Sequence, residues 1–201
     1  MNETLTASLA AAWADTGAVE ALAVALGLVY VVLAALRRRW CWPAGGGSAV
    51  LYAWLSWQVH LPMQALLQAW YVVMAVHGWR RWSVPSTATP GFWKWTHHAL
   101  AIGGSLLAAV PLAWLLETQF SSAHPWIDCA TTLLSLVATW LTARMRIESW
   151  LYWIAIDATL AWLYAEQGLR PTALLFAVYL VVCVNGLVSW LKQYRSLATN
   201  T

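Results

Sequence analysis

Residues 65–82 read ALLQAWYVVMAVHGWRRW, and residues 173–190 read ALLFAVYLVVCVNGLVSW. In the same register, residues 20–82 align with residues 128–190 without a gap, and about a third of the positions are identical. Chance does not readily produce identical Trp, Tyr and Gly pairs, and these include Tyr71 with Tyr179, Gly78 with Gly186, and Trp82 with Trp190. The repeat predicts two copies of one unit, which is a mark of transporter folds.

Composition indicates an integral membrane protein. The chain is 61% hydrophobic and 9% charged, against roughly 25% charged residues in soluble domains. Many of its 17 tryptophans stand near the ends of apolar runs, where indole rings settle at the headgroup level. The net charge of +3 does not indicate nucleic acid, because the basic residues follow the loops rather than form a patch. Cys41, Cys129 and Cys183 lack metal or redox spacing, so we expect buried thiols.

Seven apolar runs are long enough to cross a bilayer, which takes about 20 residues. They lie near residues 18–36, 42–59, 63–80, 97–117, 126–144, 148–165 and 171–190. Except for Arg170, all Lys and Arg fall in alternate connections and the C-terminal tail. The positive-inside rule therefore predicts an N-terminus outside and a C-terminus inside the cell.

The spans divide into three, one and three. Because each repeat holds an odd number of spans and one helix separates them, the two repeats run parallel, related by an axis along the membrane normal. We predict a single transport domain over residues 1–201. Its parts are a first repeat (18–82), a hinge and linker helix (83–125) and a second repeat (126–190).

Asp157 lies midway along the sixth span, where a charged residue costs about 2.5–3.5 kcal/mol and usually faces protein or a water-filled cavity. Trp150 and Trp153 share its helix face at the spacing of helical turns. This pattern predicts a ligand site. The alternative is a carboxyl group that hydrogen-bonds a neighbouring helix for packing.

The fifth span carries a polar stripe at helical spacing. Its members are Asp128, Thr131, Thr132, Ser135, Thr139 and Thr142. Such a stripe can line a route for a hydroxylated solute, or it can hold helices together. Gln68 and Tyr71 in the third span, and Tyr179 and Asn185 in the seventh, have the same two interpretations.

The chain lacks the residues that several other classes of membrane protein need. Lys192 stands only at the end of the seventh span, so a retinal Schiff base has no place, and the histidines stand near span ends, away from a mid-membrane haem. No nucleophile and base are suitably placed. We therefore predict no enzyme, no catalytic residue, no metal site and no cofactor.

Seven motifs together resemble the PnuC family of bacterial vitamin transporters, over about residues 18–192. They are Leu26-Gly27-Leu28-Val29-Tyr30, Trp40-Cys41-Trp42-Pro43, Tyr52-Ala53-Trp54-Leu55, Leu67-Gln68-Ala69-Trp70-Tyr71, Gly78-Trp79, the run from Asp128 to Ala138, and Glu148-Ser149-Trp150-Leu151-Tyr152-Trp153.

The resemblance implies a seven-helix fold similar to SWEET sugar facilitators, often trimeric. It also implies facilitated diffusion of nicotinamide riboside, which cytoplasmic phosphorylation then traps; relatives carry thiamine, riboflavin or nucleosides. Ser149 and Thr139 depart from the Asn and Gln that members for nicotinamide riboside often have there.

Our leading hypothesis is an inner-membrane facilitator for nicotinamide riboside, multi-pass in the lipid bilayer, a homotrimer, with no nucleic-acid partner. The predicted substrate-binding residues are Gln68, Tyr71, Asp128, Thr131, Thr132, Ser135, Trp150, Trp153, Asp157, Tyr179 and Asn185. The alternatives are another vitamin or nucleoside in the same fold, a non-transporting scaffold or sensor, and proton coupling through Asp157.

Overall fold

The structure is a computed structural model that describes residues 17–58, 62–84, 89–119, 124–168 and 170–199. This part of the chain forms seven α-helices, each of which overlaps one of the seven predicted spans. They are α1 (Ala18–Ala35), α2 (Cys41–Gln58), α3 (Pro62–Arg81), α4 (Trp95–Gln119), α5 (Pro125–Ala143), α6 (Ser149–Glu166) and α7 (Arg170–Ala198). Residues 85–88 of the predicted hinge lie outside the described residues.

Four helices of the described chain are long and apolar enough to cross a membrane by length and composition. Their candidate segments are Ala18–Ala35, Trp95–Thr118, Pro125–Ala143 and Thr172–Ala198. The other three are rich in Trp, Tyr, Gly, Ser or Gln, which lowers their mean hydropathy. Large apolar side chains lie on the surface, with Leu107 74% exposed, as expected for a surface that lipid covers.

The helices pack mostly in chain order. α1 packs on α2 and α2 on α3, and likewise α5 packs on α6 and α6 on α7. Contacts of α1 with α7 and of α3 with α5 join these two groups, while α4 packs against α5.

The turns after α1 and α5 have the same backbone shape. Arg37 has φ 56° and Met145 has φ 55°, so both are left-handed, which is uncommon for residues other than glycine. In the next position, the Arg38 N–H donates to the Leu33 carbonyl at 2.8 Å, and the Arg146 N–H donates to the Leu141 carbonyl at 2.9 Å. Arg37 and Met145 are equivalent positions of the sequence repeat, and so are Arg38 and Arg146.

Four buried indoles form the centre of the largest core, which we call the tryptophan cluster: Trp42, Trp82, Trp150 and Trp190. The rings of Trp42 and Trp82 meet edge to face at 5.3 Å between centroids, and those of Trp150 and Trp190 do so at 5.4 Å. Trp82 and Trp190 join the two pairs.

The tryptophan cluster depends on two glycines at repeat-equivalent positions. A Cβ on Gly186 would lie 2.7 Å from the Trp150 ring, and one on Gly78 would overlap the Trp42 ring. Only glycine therefore allows these rings to pack so closely on α3 and α7.

The start of α4 is fixed to α6 through Glu148. Glu148 Oε1 accepts a hydrogen bond from the Trp93 backbone N–H at 2.7 Å and lies 3.2 Å from His98 Nε2. The other ring nitrogen of His98 lies 3.0 Å from the Tyr152 hydroxyl. His98 is buried, so its contacts with Glu148 and Tyr152 are shielded from water and hold the start of α4 against α6.

Candidate functional site

Asp157 lies inside the bundle, midway along α6, and is only 5% exposed. The Cys183 thiol on α7 donates a hydrogen bond to Asp157 Oδ2 at 3.3 Å. Within the described part of the chain, no Lys, Arg or His forms an ion pair with this carboxyl group. A thiol is a weak donor, so Asp157 can still take a stronger donor or a cation.

Two tyrosines interact electrostatically with this carboxyl group. Tyr71 on α3 and Tyr179 on α7 occupy equivalent positions in the repeat, and both lie within electrostatic range of Asp157. The Tyr71 hydroxyl also has Ser135 of α5 as a hydrogen-bonding neighbour. The structure thus brings together four predicted site residues from four helices.

Four members of the polar stripe of α5 are buried, and their hydroxyl groups bond to their own helix. Thr131, Ser135, Thr139 and Thr142 each donate to the carbonyl four residues earlier, at 2.7–2.8 Å. Their remaining lone pairs can accept hydrogen bonds, and Thr142 accepts one from the Trp153 indole at 3.2 Å. The stripe therefore offers acceptors rather than free donors.

The other predicted residues are more dispersed. Gln68 is buried one turn before Tyr71 on α3, and Thr132 is half-buried. Trp150 is 1% exposed and packs into the tryptophan cluster. Asp128 is exposed in the first turn of α5, and Asn185 is exposed on α7.

Cys183 is not among the predicted site residues, although the sequence correctly predicts that this thiol is buried. The spacing indicates its position, because Cys183 follows Tyr179 by one helical turn and therefore shares its face of α7. Ser48 is a second omission. It donates to the Ala23 carbonyl at 2.8 Å. The hydroxyl groups of Ser48 and Tyr179 both lie close to Gly27 on α1.

In the described chain, no three His, Cys, Asp or Glu side chains lie close enough together to hold a metal ion. Within the described residues, the interior instead combines the Asp157 carboxyl group with tyrosines, hydroxyl acceptors and indoles. Such a set can bind a small organic molecule through charge, ring faces and hydrogen bonds.

A bundle of apolar helices around a small polar centre defines a multi-pass membrane protein. The chain belongs to the nicotinamide mononucleotide transporter family, which it matches over residues 17–192. The predicted membership of the PnuC family is therefore confirmed.

Relatives with assigned functions differ in their cargo. The riboflavin/roseoflavin transporter RibM of Streptomyces davaonensis is 25% identical over 85% of this chain and 83% of its own length. The nicotinamide riboside transporter PnuC of Escherichia coli is 23% identical over 90% of this chain and 88% of its own. The crystal structure of the vitamin B3 transporter PnuC has the same fold, with a TM-score of 0.70 at 23% identity over 89% of this chain and 82% of that one.

Proposed function

We propose that this chain is a bacterial inner-membrane facilitator for nicotinamide riboside, and that the cargo binds around Asp157 between Tyr71 and Tyr179. The observation that carries this proposal is the buried carboxyl group of Asp157, which has the Cys183 thiol as its hydrogen-bond donor. Membership of a vitamin-transporter family supports the class of cargo.

The chemistry of nicotinamide riboside suits these residues. Its pyridinium ring carries a permanent positive charge, and a buried carboxylate is stable when a cation compensates it. The faces of Tyr71, Tyr179 and Trp153 suit the flat cationic ring. The Gln68 amide can bond the carboxamide, and the ribose hydroxyls can donate to the acceptors of α5.

The proposed site lies between two parallel three-helix repeats, residues 18–82 and 126–190, which the segment 83–125 joins. Three sets of repeat-equivalent features support this architecture: the left-handed turn residues, the paired indoles and the glycines beneath them. The distribution of Lys and Arg favours an N-terminus outside and a C-terminus inside.

The remaining parts of the proposal follow the family resemblance. Transport is facilitated diffusion, cytoplasmic phosphorylation traps the vitamin, and the protein is a homotrimer in the bilayer. The broad apolar surface of α4, where Leu100 and Trp114 are exposed, leaves room for either lipid or a second copy.

Tryptophan-fluorescence titration of the purified protein with nicotinamide riboside, thiamine and riboflavin tests the cargo. We expect a saturable change with nicotinamide riboside at the lowest concentration. A response to riboflavin alone would rule out nicotinamide riboside as the cargo and leave the family assignment intact.

Uptake of labelled nicotinamide riboside into liposomes tests the activity. A facilitator equilibrates the label, and its rate does not change when a pH gradient is imposed. A gradient-dependent rate would indicate proton coupling through Asp157. An absence of flux in folded protein would indicate a scaffold or sensor, in which the α5 stripe only packs helices.

Riboflavin is the second candidate, because RibM is similar over most of its length. The Asp157 carboxyl group favours the cationic vitamin over riboflavin, which carries no fixed charge.

A further inference from the structure

A cleft opens between the C-terminal end of α1 and the second half of α7, away from Asp157. Its volume is about 680 Å³, and a neighbouring cavity of about 350 Å³ shares part of its lining. Leu36, Arg37 and Gln193 line both cavities. We call the two together the basic cleft.

The basic cleft is cationic. Arg37 and Lys192 line the larger cavity and Arg38 the smaller one, and among the residues that the structure describes no Asp or Glu lines either. At this end of the bundle the described carboxylate is Glu148, which already binds the Trp93 N–H and faces His98. The basic cleft therefore attracts an anion from outside the protein.

Arg37 has bonding capacity that the described residues do not use. Its Nε is buried without a hydrogen-bond partner among them, and burial lowers the pKa of the guanidinium group. An unpaired buried donor is costly, and a guanidinium group matches the geometry of a phosphate. The neutral side chains of Ser189 and Asn185 line the same cavity.

Two apolar stripes lead from the basic cleft along the helices into the membrane. On α1, Val29 and Val32 are exposed on the same face as Leu36, and on α7, Val181 and Val184 are exposed on the same face as Val188. Leu36 and Val188 themselves line the larger cavity. A ligand with both a phosphate and hydrocarbon chains satisfies the cationic and the apolar surfaces together.

We propose that the basic cleft binds an anionic phospholipid, with its phosphate at Arg37 and Lys192 and its acyl chains along the two stripes. Basic pockets between membrane helices are suited to such headgroups. This site lies away from Asp157, and its test does not require transport.

Native mass spectrometry of the purified full-length chain with added phosphatidylglycerol tests the proposal. The variant Arg37→Gln/Lys192→Gln removes two charges from the basic cleft. The control Arg80→Gln/Arg195→Gln removes two charges from exposed positions at the same end that line neither cavity. We expect phosphatidylglycerol affinity to fall at least about tenfold in the first variant and less than about twofold in the control. Equal losses in both would overturn the proposal.

A second measurement uses the unaltered protein, so it does not depend on the folding of a variant. We expect phosphatidylglycerol to bind in preference to phosphatidylcholine, and millimolar adenosine monophosphate or inorganic phosphate to leave it bound. Equal binding of phosphatidylcholine would contradict recognition of an anion. Displacement by the soluble phosphates would assign the basic cleft to a soluble ligand and overturn the lipid.

Discussion

Trp82 and Trp190 lie with their ring centroids 5.9 Å apart, and each donates its indole N–H to the other half of the chain. Trp82 bonds the Ala143 carbonyl at the end of α5 at 3.1 Å, and Trp190 bonds the Ala34 carbonyl near the end of α1 at 3.2 Å. These two bonds satisfy carbonyl groups at helix C-termini and hold the two halves together at one end of the bundle.

We expect Trp82→Phe/Trp190→Phe to weaken the packing between the two halves of the chain at the tryptophan cluster. Each lost bond costs about 0.5–1.5 kcal/mol, so Cys41, which is buried in the same core, should react faster with a membrane-permeant maleimide. Cys129 is buried against α4 and should keep its rate, as a reference within the same molecule. A uniform acceleration at both thiols would indicate general unfolding and contradict a local role.

Gly78→Ala and Gly186→Ala should both destabilise the protein, because each added methyl group collides with an indole of the tryptophan cluster. Overpacking of this kind costs typically about 1–3 kcal/mol, which thermal melting in detergent would record as a lower Tm. Gly103→Ala on α4 is the control, since a Cβ there meets nothing within 4 Å. If Gly78→Ala melted like Gly103→Ala, the close packing of Trp42 would not limit stability.

Asp157→Asn should weaken nicotinamide riboside binding by about tenfold or more, since a charge-assisted contact becomes neutral. Asp157→Ala should do the same with little loss of folded protein. Tryptophan-fluorescence titration measures both, and Glu166→Gln, at the exposed end of α6, is the control. If the Asp157 variants failed to fold while the surviving fraction bound normally, the residue would be structural.

Glu148→Ala should release the start of α4. The lost contacts with Trp93 and His98 include hydrogen bonds to a charged group, which are worth about 1.5–3 kcal/mol each. Hydrogen exchange at the Trp93 amide should accelerate, whereas Glu148→Gln, which keeps an acceptor oxygen, should show a smaller change. Glu117→Ala, exposed near the end of α4, should leave this amide unaffected.

The helices could be predicted from the sequence because length, apolar composition and the placement of Lys and Arg are local properties of the chain. The paired features of the turns and indoles also follow the sequence repeat. The last helix was predicted to end near residue 190 but continues to Ala198, since the polar turns beyond the apolar run still form helix.

The site was harder to predict because periodicity gives the face of a residue and not its depth or its rotamer. Trp150 shares a face with Asp157, yet it stands two turns away, about 10 Å along the helix, and packs on Trp190. Thr139 and Ser135 lie on the predicted face, but their hydroxyl groups turn to their own backbone. The thiol of Cys183 beside Asp157 depends on how α6 and α7 pack, which a single sequence does not encode locally.

The length of α7 has a mechanical consequence. Its 29 residues span about 44 Å, whereas the hydrocarbon core is about 30 Å thick. We expect its last turns, which carry Lys192 and Arg195, to extend beyond the hydrocarbon core as a continuation of the helix that carries Tyr179 and Cys183. A tilt of about 10° around its midpoint would displace its end by about 4 Å, so a spin label near Leu197 would convert a small rearrangement inside the membrane into a measurable change of distance.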